Sequence, residues 1–411
     1  MNRRDFMQVA AIGTGGLLVP CLNGWAATNP DTGATQRKLV VIMLRGAVDG
    51  LNVVAPYGDA NYARLRPTIA VARPGQENGL IDLDGYFGLH PALRPLQDLW
   101  QQRRLAFVHA SGSPDETRSH FDAQDYLESG TPGRKGTQDG WMNRLVGAMA
   151  GPIGPTRAIS IGPVMPRILT GRINSTNIAS GAAAGKPTLL DRPQIGGAFA
   201  QLYQGQDKLS TMYHEAQSAH KEMMSSMDDE SKIADGGAPL PNGFPGDAAR
   251  LATLMKNDAR IQFAFIPLGG WDTHANQGAG TGQLAGRLAP LGQGLVALAQ
   301  GLGPLFDDTT IVVMSEFGRT ARQNGNNGTD HGHGNVMWVL GGPVNGGKVY
   351  GDWQGVGDAQ LHEGRDVPVT TDFRSVLAQI AERHVRLSDK QLQTVFPLMP
   401  ERSFHSNLIR T

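Results

Sequence analysis

A glycine-rich segment of the chain contains two histidines separated by one residue, a pattern typical of metal-binding and catalytic sites. The segment reads GTDHGHGN and includes Asp330, His331 and His333. Because the flanking glycines give these imidazoles little to pack against, we expect them to bind a ligand. The alternative is that they have a structural role or are solvated.

Further carboxylates and another histidine occur in short polar segments elsewhere in the chain. WDTH contains Asp272 and His274, SEFGRT contains Glu316, and RGAVDG contains Asp49. Histidine mixed with carboxylate suits zinc or another borderline divalent metal, whereas carboxylates alone would favour magnesium or calcium. The residue types therefore predict a divalent-metal site.

Each of these segments also has an ordinary structural interpretation. Asp49 precedes a glycine and is typical of a turn, and Asp272 is of a type that caps helices. Glu316 could form an ion pair with Arg319 in the same segment. The metal hypothesis therefore depends on whether the segments come together, and less on any one of them.

The polar segments adjoin short apolar runs that have the length of strands. These runs span residues 38–44, 105–110, 157–162, 261–268, 309–314 and 336–340. Uninterrupted apolar runs are typical of strands covered on both faces, as in a mainly parallel sheet. Helical patterns occur between and after them, at residues 91–104, 194–227, 246–256, 283–305 and 371–385. This alternation predicts a doubly wound α/β fold.

In such a fold the carboxyl ends of the strands form one edge of the sheet, and ligands bind there. Asp49 follows the first apolar run, and Ser119, His120 and Asp122 follow the second. WDTH and SEFGRT follow two later runs, and GTDHGHGN precedes the last one. We therefore expect these side chains to meet at one edge of the sheet.

The beginning of the chain predicts a twin-arginine signal peptide over residues 1–26. Arg3 and Arg4 precede a stretch without charge from Phe6 to Pro30. A charged start, a short apolar segment and small residues are the parts of a secretory signal, and paired arginines are an export address. A membrane anchor is the alternative, but the apolar run is shorter than the roughly 20 residues a spanning helix needs. We expect the twin-arginine machinery as a partner, a periplasmic or secreted location, and no stable membrane span in the mature chain.

The mature chain would contain no cysteine, because Cys21 lies in the predicted signal peptide. Disulfides, thiolate nucleophiles and cysteine-bound metals are therefore excluded from it. The 37 basic and 37 acidic residues balance, and no basic block occurs, so nucleic acid is not an expected partner. Residues 36–411 are long enough for one large α/β domain.

Six segments, in chain order, closely resemble the bacterial family called "domain of unknown function 1501". They are RRDF, LRGAVDGLN, TRSHFDAQDYLESG, GGWDTHANQ, SEFGRT and TDHGHGN. That family looks like a branch of the alkaline phosphatase and sulfatase superfamily. The resemblance implies a three-layer α/β/α sandwich around a mainly parallel sheet, with a metal site at the strand ends.

The resemblance also implies roles for individual residues. Ser119 precedes a helix that ends at Ser129 and Gly130, as the superfamily's nucleophile precedes such a helix. The guanidinium of Arg319 could face the anion. One or two divalent ions, expected to be zinc, would be held by Asp49, Asp272, His274, Glu316, His331 and His333. An ordinary loop serine is the alternative for Ser119.

The chain departs from the superfamily pattern at one ligand position. Where superfamily members usually have Asp-His-Gly, this chain has Glu316, Phe317 and Gly318. It also lacks the cysteine that sulfatases convert to formylglycine. Without the usual histidine, fewer ligands are present than a full two-zinc site needs.

We therefore expect an exported, metal-dependent hydrolase that acts on a small anionic ester, either a phosphate or a sulfate. The alternative is a non-catalytic periplasmic binding or assembly protein that keeps the fold and binds a protein partner. A third class, an oxidoreductase that carries a cofactor, would fit twin-arginine export. It is not favoured, because no G-x-G-x-x-G segment follows the first apolar run.

Export is predicted to require the paired arginines. Replacing Arg3 and Arg4 by lysine should leave uncleaved precursor in the cytoplasm, because the export receptor reads the arginine pair. Cell fractionation and immunoblotting would measure this, with Arg37→Lys as a control that should be exported normally. Normal periplasmic accumulation of the double variant would contradict the prediction.

Overall fold

The strands of the central sheet coincide with the apolar runs of the sequence. A computed structural model describes residues 37–151, 154–181, 234–399 and 404–410. The predicted signal peptide and the helix predicted over residues 194–227 lie outside the described residues.

In chain order the described strands are Lys38–Leu44 (β1), Val54–Ala55 (β2), Ile81–Asp82 (β3), Gly88–Leu89 (β4), Leu105–Gly112 (β5), Ala158–Ile161 (β6), Thr176–Ile178 (β7), Phe263–Leu268 (β8), Thr309–Ser315 (β9), Asn335–Gly341 (β10), Lys348–Tyr350 (β11) and Thr371–Asp372 (β12). Within this part of the chain, nine strands form the main sheet, in the order β11-β5-β10-β9-β1-β8-β6-β7 with β12 beside β5. The short strands β2, β4 and β3 form a separate sheet.

Most neighbouring strands of the main sheet run parallel, as the sequence predicts. The strand β1 pairs in parallel with β8 on one side and with β9 on the other. The exception is β10, which runs antiparallel to both β5 and β9. The start of β10 therefore lies at the same edge of the sheet as the ends of β5 and β9. That edge includes the loop that precedes β10 as well as the loops that follow its neighbours.

The α-helices of the described residues are Gly50–Val53 (α1), Ala60–Leu65 (α2), Gln97–Gln101 (α3), His120–Ser129 (α4), Trp141–Ala148 (α5), Phe244–Asn257 (α6), Gln283–Leu302 (α7), Phe373–Ile380 (α8) and Asp389–Val395 (α9). The 3-10 helices are Pro91–Leu96, Arg167–Leu169, Pro241–Gly243 and Gly303–Asp308, and Ala381–Val385 is a π-helix. The helix α4 ends at Ser129, and Gly130 follows it in the left-handed conformation that favours glycine.

Helices cover both faces of the sheet and complete three layers. Successive side chains of a strand point to opposite faces. Val40 and Ile42 of β1 therefore pack in the same core as α6 and α7. Val41 and Met43 pack on the other face, with α5, α8 and α9. The predicted three-layer α/β/α arrangement is confirmed.

The longest described helix, α7, buries one apolar stripe. Leucines at intervals of three or four residues face the core, and all of them are fully buried: Leu284, Leu288, Leu291, Leu295 and Leu298. This spacing places them on one side of the helix. Burial of that stripe is what attaches α7 to the sheet.

From Arg37 onward the described residues group into one unit. Among their helices, none combines the length and the apolar character needed to cross a bilayer. The loops at the strand ends are thus carried by one continuous core.

Leu295→Ala is predicted to lower the free energy of unfolding by about 2–5 kcal/mol, because it leaves a cavity between α7 and its core. Leu240→Ala is the matched control, since that leucine is 52% exposed. Its cost should stay within about 0.5 kcal/mol. Urea unfolding followed by circular dichroism measures both values, and equal costs would contradict the prediction.

Candidate metal centre

Three imidazoles and one carboxylate converge at the edge where the parallel strands end. Nε2 of His331 lies 2.9 Å from Nε2 of His120 and 3.0 Å from Nε2 of His274. The carboxylate oxygens of Asp272 lie 2.9 Å from Nε2 of His274, 3.4 Å from that of His331 and 3.5 Å from that of His120. The ligand atoms of His120, Asp272 and His331 all lie within 4.8 Å of one another, and this group could hold a metal ion.

Separate loops and one helix supply these four side chains. His120 is the first residue of α4, in the connection that follows β5. Asp272 and His274 follow β8, and His331 lies in the loop before β10. A backbone bridge joins His331 to Arg319, which follows β9. The site therefore depends on the order of these strands in the sheet.

The other ring nitrogen of each imidazole faces an oxygen. The pairs are Nδ1 of His120 with Oε1 of Glu316 at 2.8 Å, Nδ1 of His331 with the carbonyl of Arg118 at 2.9 Å, and Nδ1 of His274 with Oδ1 of Asp330 at 3.3 Å. An Nδ1 that donates to such an oxygen carries the proton of the neutral ring. The Nε2 lone pairs are then directed into the cluster, as they are in histidines that bind metals.

The spacing of the ligand atoms fits coordination of one ion. In a tetrahedral site with bonds of about 2.0–2.1 Å, neighbouring ligand atoms lie about 3.3 Å apart. Nε2 of His331 lies 2.9 Å from Nε2 of His120 and 3.4 Å from Oδ1 of Asp272, and Nε2 of His120 lies 3.5 Å from Oδ2 of Asp272. Imidazole and carboxylate are also the donors that borderline divalent metals accept. The residues present therefore fit a divalent metal ion.

The cluster keeps its carboxylate ionised and attracts positive charge. Burial tends to raise the pKa of Asp272, but its hydrogen bonds with His120, His274 and His331 lower it well below the usual range. Burial tends to lower the pKa of His120, but hydrogen bonds to Asp272 and Glu316 outweigh it and raise the pKa to about 9. A proton or a metal ion can supply the positive charge that this arrangement favours.

Glu316 lies behind His120 and is fully buried. Its Oε1 accepts hydrogen bonds from the backbone N–H of Gly46 at 2.7 Å and from Nε2 of Gln124 at 3.0 Å, besides that from His120. Burial tends to raise the pKa of Glu316, but the hydrogen bond from His120 leaves it below its ordinary value. The structure thus places Glu316 as a carboxylate that orients a histidine, one side chain back from the cluster.

The side chain of Arg319 is fully buried, and its guanidinium donates hydrogen bonds to Asp272 and Thr329. Its Nη1 donates to Oδ1 of Asp272 at 2.5 Å, and its Nε donates to Oγ1 of Thr329 at 3.1 Å. Its Nη2 donates to the carbonyl of Thr329. In this position the guanidinium orients Asp272 and is not exposed to an anion arriving from solvent.

Asp49 lies apart from the cluster in a buried ion pair. Its two carboxylate oxygens accept from the guanidinium of Arg66 at 2.6 and 3.0 Å. Oδ2 also accepts from Nε2 of Gln277 at 2.6 Å. These contacts already neutralise the carboxylate, and the structure does not bring it among the converging ligand atoms.

His333 also lies apart from the cluster, although it is only two residues from His331. Its Nε2 lies 3.1 Å from the carbonyl oxygen of Ser113. Of the six predicted ligands, the structure brings together Asp272, His274 and His331. It places the other three elsewhere: Asp49 with Arg66, Glu316 behind His120, and His333 beside Ser113.

Ser119 and His120 are adjacent at the start of α4. Ser119 caps the helix, with Oγ accepting from the backbone N–H of Asp122 at 3.4 Å, and it is exposed. His120 enters the cluster, although the sequence analysis did not include it among the ligands. The available signal was its position directly after the predicted nucleophile, in the segment that follows the second apolar run.

The ring of Phe317 packs against the imidazoles. Its centre lies 4.8 Å from that of His120 and 5.2 Å from that of His331. Position 317 therefore has an apolar ring that supports two imidazoles.

Close packing of two loops places His331. The backbone N–H of Gly318 donates to the carbonyl of His333 at 2.7 Å, and that of Gly332 donates to the carbonyl of Gly318 at 2.8 Å. A Cβ atom on Gly318 would lie 1.9 Å from the carbonyl oxygen of Gly334. Only glycine fits at position 318, and a Cβ atom would also lie 2.5 Å from the backbone of Arg319 at Gly332 and 2.6 Å from that of Pro368 at Gly334.

The fold and the cluster together define an α/β protein with a candidate metal centre at the strand ends. The model of the family "Protein of unknown function (DUF1501)" matches residues 99–396. The chain belongs to this family, which confirms the expected family, and the matched residues include the last four of the six segments. No curated protein matches it.

Several solved structures are similar to the chain at low sequence identity. Ps i-CgsB in complex with k-i-k-neocarrahexaose is 12% identical, with 87% of this chain and 74% of that chain covered and a TM-score of 0.42. The C-terminal periplasmic domain of EcEptC from Escherichia coli is 11% identical, with 92% and 93% covered and a TM-score of 0.40. A protein in the alkaline phosphatase superfamily from Vibrio parahaemolyticus is 11% identical, with 77% and 62% covered and a TM-score of 0.36.

Glu316→Gln is predicted to weaken binding of a divalent metal by about 10–100-fold, because His120 loses the carboxylate that orients it. Titration of zinc into the purified protein, followed by calorimetry, measures the change. Glu77→Gln is the control, since Glu77 is exposed. Unchanged affinity in Glu316→Gln would show that the carboxylate does not support the site.

Proposed function

We propose that the chain is an exported, metal-dependent hydrolase of a phosphate or sulfate ester. The observation that carries this proposal is the convergence of His120, Asp272 and His331, whose spacing supports three protein ligands around one ion of the zinc type. Catalytic zinc sites commonly have three protein ligands and leave another position for water or substrate. When bound, such an ion neutralises ester oxygens and lowers the pKa of a nearby hydroxyl or water.

Access to the cluster is greatest at His274. Its side chain is 35% exposed, compared with 16% for His331, 7% for His120 and 2% for Asp272. We therefore place the substrate on the side of His274. There the imidazole, with Asp330 behind it, either completes the ligand set or contacts the ester directly.

Ser119 is the nucleophile in this proposal. It directly precedes His120 and is exposed, and its Oγ is 3.4 Å from the N–H that it caps, which is a long hydrogen bond. The backbone N–H groups in the first turn of α4 favour an anion at the same end. Oγ would attack the phosphorus or sulfur atom and displace the alcohol, and water would then release the anion.

Arg319 and Glu316 act as positioning residues in this scheme. Arg319 holds Asp272 and Glu316 holds His120, and both are buried away from the substrate side. Fixing the ligands before the ion binds lowers the cost of assembling the site.

The test combines chelation with matched variants of Ser119. Wild-type protein should cleave at least one ester in a panel of chromogenic phosphate and sulfate esters, and a chelator should abolish turnover. Ser119→Ala should lower kcat by several orders of magnitude while the metal is retained. Because its cap is also lost, it should cost about 1 kcal/mol of stability. Ser119→Asn keeps a capping side chain without a nucleophilic hydroxyl, and Ser119→Thr keeps both functions.

The outcomes separate the parts of the proposal. If the activity of Ser119→Asn is near that of wild type, Ser119 is not the nucleophile. Metal-dependent hydrolysis is then tested separately by His120→Ala, which should lose turnover. If metal-loaded wild type turns over no ester in the panel, the proposal that the protein is a hydrolase is wrong, and a non-catalytic binding protein is favoured.

A further inference from the structure

Arg287 lies in the second turn of α7, beside the loop that supplies Asp272. A Cβ atom on Gly270 would lie 3.3 Å from both Cζ and Nε of Arg287, so the guanidinium packs on the backbone of that glycine. Gly270 has a φ of +90°, which favours glycine, and it is two residues before Asp272. The GGWDTHANQ segment therefore allows a cation to approach the start of the loop that carries Asp272 and His274.

The guanidinium of Arg287 is half-buried, and one of its nitrogens lacks an acceptor. Nη1 is buried without a hydrogen-bond partner in the part of the chain that the structure describes. Burial lowers the pKa of Arg287, and the charges of Asp235 and Asp272 oppose this only in part. Buried polar groups in native proteins are almost always satisfied, so an exception calls for an explanation.

Three other arginines at this edge of the sheet each have a carboxylate partner. Their guanidinium nitrogens lie 2.5–2.6 Å from carboxylate oxygens, in the pairs Arg319 with Asp272, Arg66 with Asp49, and Arg45 with Glu128. Arg287 differs from them, because within the described residues no carboxylate forms such a pair with it.

Asp235 contacts the same glycine as Arg287 without binding the guanidinium. Its Oδ1 accepts from the backbone N–H of Gly270 at 2.5 Å. The charges of Asp235 and Arg287 act on each other across space. A distant charge pair is therefore the structural alternative to a role of Arg287 in binding a ligand.

An anionic ester would supply the acceptors that Arg287 lacks. A guanidinium is planar and presents several N–H donors, which match the oxygens of a phosphate or sulfate group. Because the charges of Arg287 and Asp272 act on each other, an anion at the cluster would also lie within the field of this guanidinium.

We propose that Arg287 binds the anionic group of the ester at the candidate metal centre, the role that the sequence analysis gave to Arg319. The inference rests on the proposed function, in which the cluster receives a phosphate or sulfate ester. Arg319 holds Asp272 through Nη1, so the two arginines divide the work. One orients a candidate metal ligand, and the other contacts the substrate.

The test measures the affinity of inorganic phosphate and of inorganic sulfate for the zinc-loaded protein by calorimetry, after removal of unbound zinc. Wild type should bind at least one of them. Arg287→Met should bind that anion about 10–100-fold more weakly, because hydrogen bonds to a charged group are lost. Arg287→Lys should lie between the two, since it keeps the charge but not the planar fork.

Arg260→Met is the matched control for loss of a positive charge. The side chain of Arg260 is 78% exposed and precedes β8, at the end of that strand opposite Asp272. This variant should bind the anion as wild type does.

A charge-matched double variant separates direct contact from charge balance. Arg287→Met combined with Asp235→Asn has the net charge of wild type. If Arg287 contacts the anion, the affinity stays low in the double variant. If Arg287 only balances Asp235, the affinity returns to that of wild type, and this result would overturn the proposal.

Two further results would overturn it: zinc-loaded wild type that binds neither anion, or wild-type affinity in Arg287→Met. Circular dichroism confirms that each variant is folded. If Arg287→Met does not fold, Arg287→Lys decides the matter, because weaker binding supports the contact and unchanged binding refutes it.

These measurements require no turnover, so this inference and the proposed hydrolysis can fail separately. Anion binding that depends on Arg287, in a protein that cleaves no ester, would support the contact and refute the hydrolase. Ester cleavage with unchanged kcat and KM in Arg287→Met would support the hydrolase and refute the contact.

Discussion

Lone pairs that face one another at short range repel unless positive charge lies between them. Four side chains are arranged in this way, with distances of 2.9–3.5 Å between their atoms: Nε2 of His120, His274 and His331 and the carboxylate of Asp272. The surrounding residues enforce this arrangement. An oxygen behind each ring fixes its orientation, the ring of Phe317 packs against two imidazoles, and Arg319 holds the carboxylate. The strand order matters because it brings the loops after β5, β8 and β9 to one edge.

Charge balance explains why one of two buried carboxylates near this edge is linked to the cluster and the other is not. Asp49 is matched by the guanidinium of Arg66, which contacts both of its oxygens, so no further cation is required there. Glu316 is matched through the imidazole of His120, whose other nitrogen points into the cluster. The positive charge that satisfies Glu316 is thus shared with the site, and the charge that satisfies Asp49 is not.

Much of the fold follows from the sequence, because apolar runs and helical periodicity depend on neighbouring residues. The runs at 38–44 and 309–314 match β1 and β9 almost residue for residue, and Gly130 ends α4 as expected. The location of the site also follows, since it requires only the rule that ligands bind at strand ends. The assignment of ligands does not follow, because it depends on partners distant in the chain. Nothing near Asp49 in the sequence indicates that its carboxylate will form an ion pair with Arg66.

Residue spacing alone does not separate His331 from His333. In a regular extended segment residues i and i+2 point to the same side, so the spacing favours both imidazoles at one place. The structure instead places His331 in the cluster and His333 beside the carbonyl of Ser113. The glycines allow this, since Gly332 packs against the backbone of Arg319 and Gly334 against that of Pro368.

Phe317 limits the donors available at the cluster. Its ring packs against His120 and His331 and supplies no ligand atom. The ligand atoms that converge there, those of His120, Asp272 and His331, could hold one ion. Because Arg319 is bound to Asp272, the proposed hydrolysis would require the charge of an anionic ester to be met at the exposed side of the cluster. The start of α4, where Ser119 and His120 lie next to each other, is the part of the candidate site that combines exposure, backbone N–H groups and a candidate metal ligand.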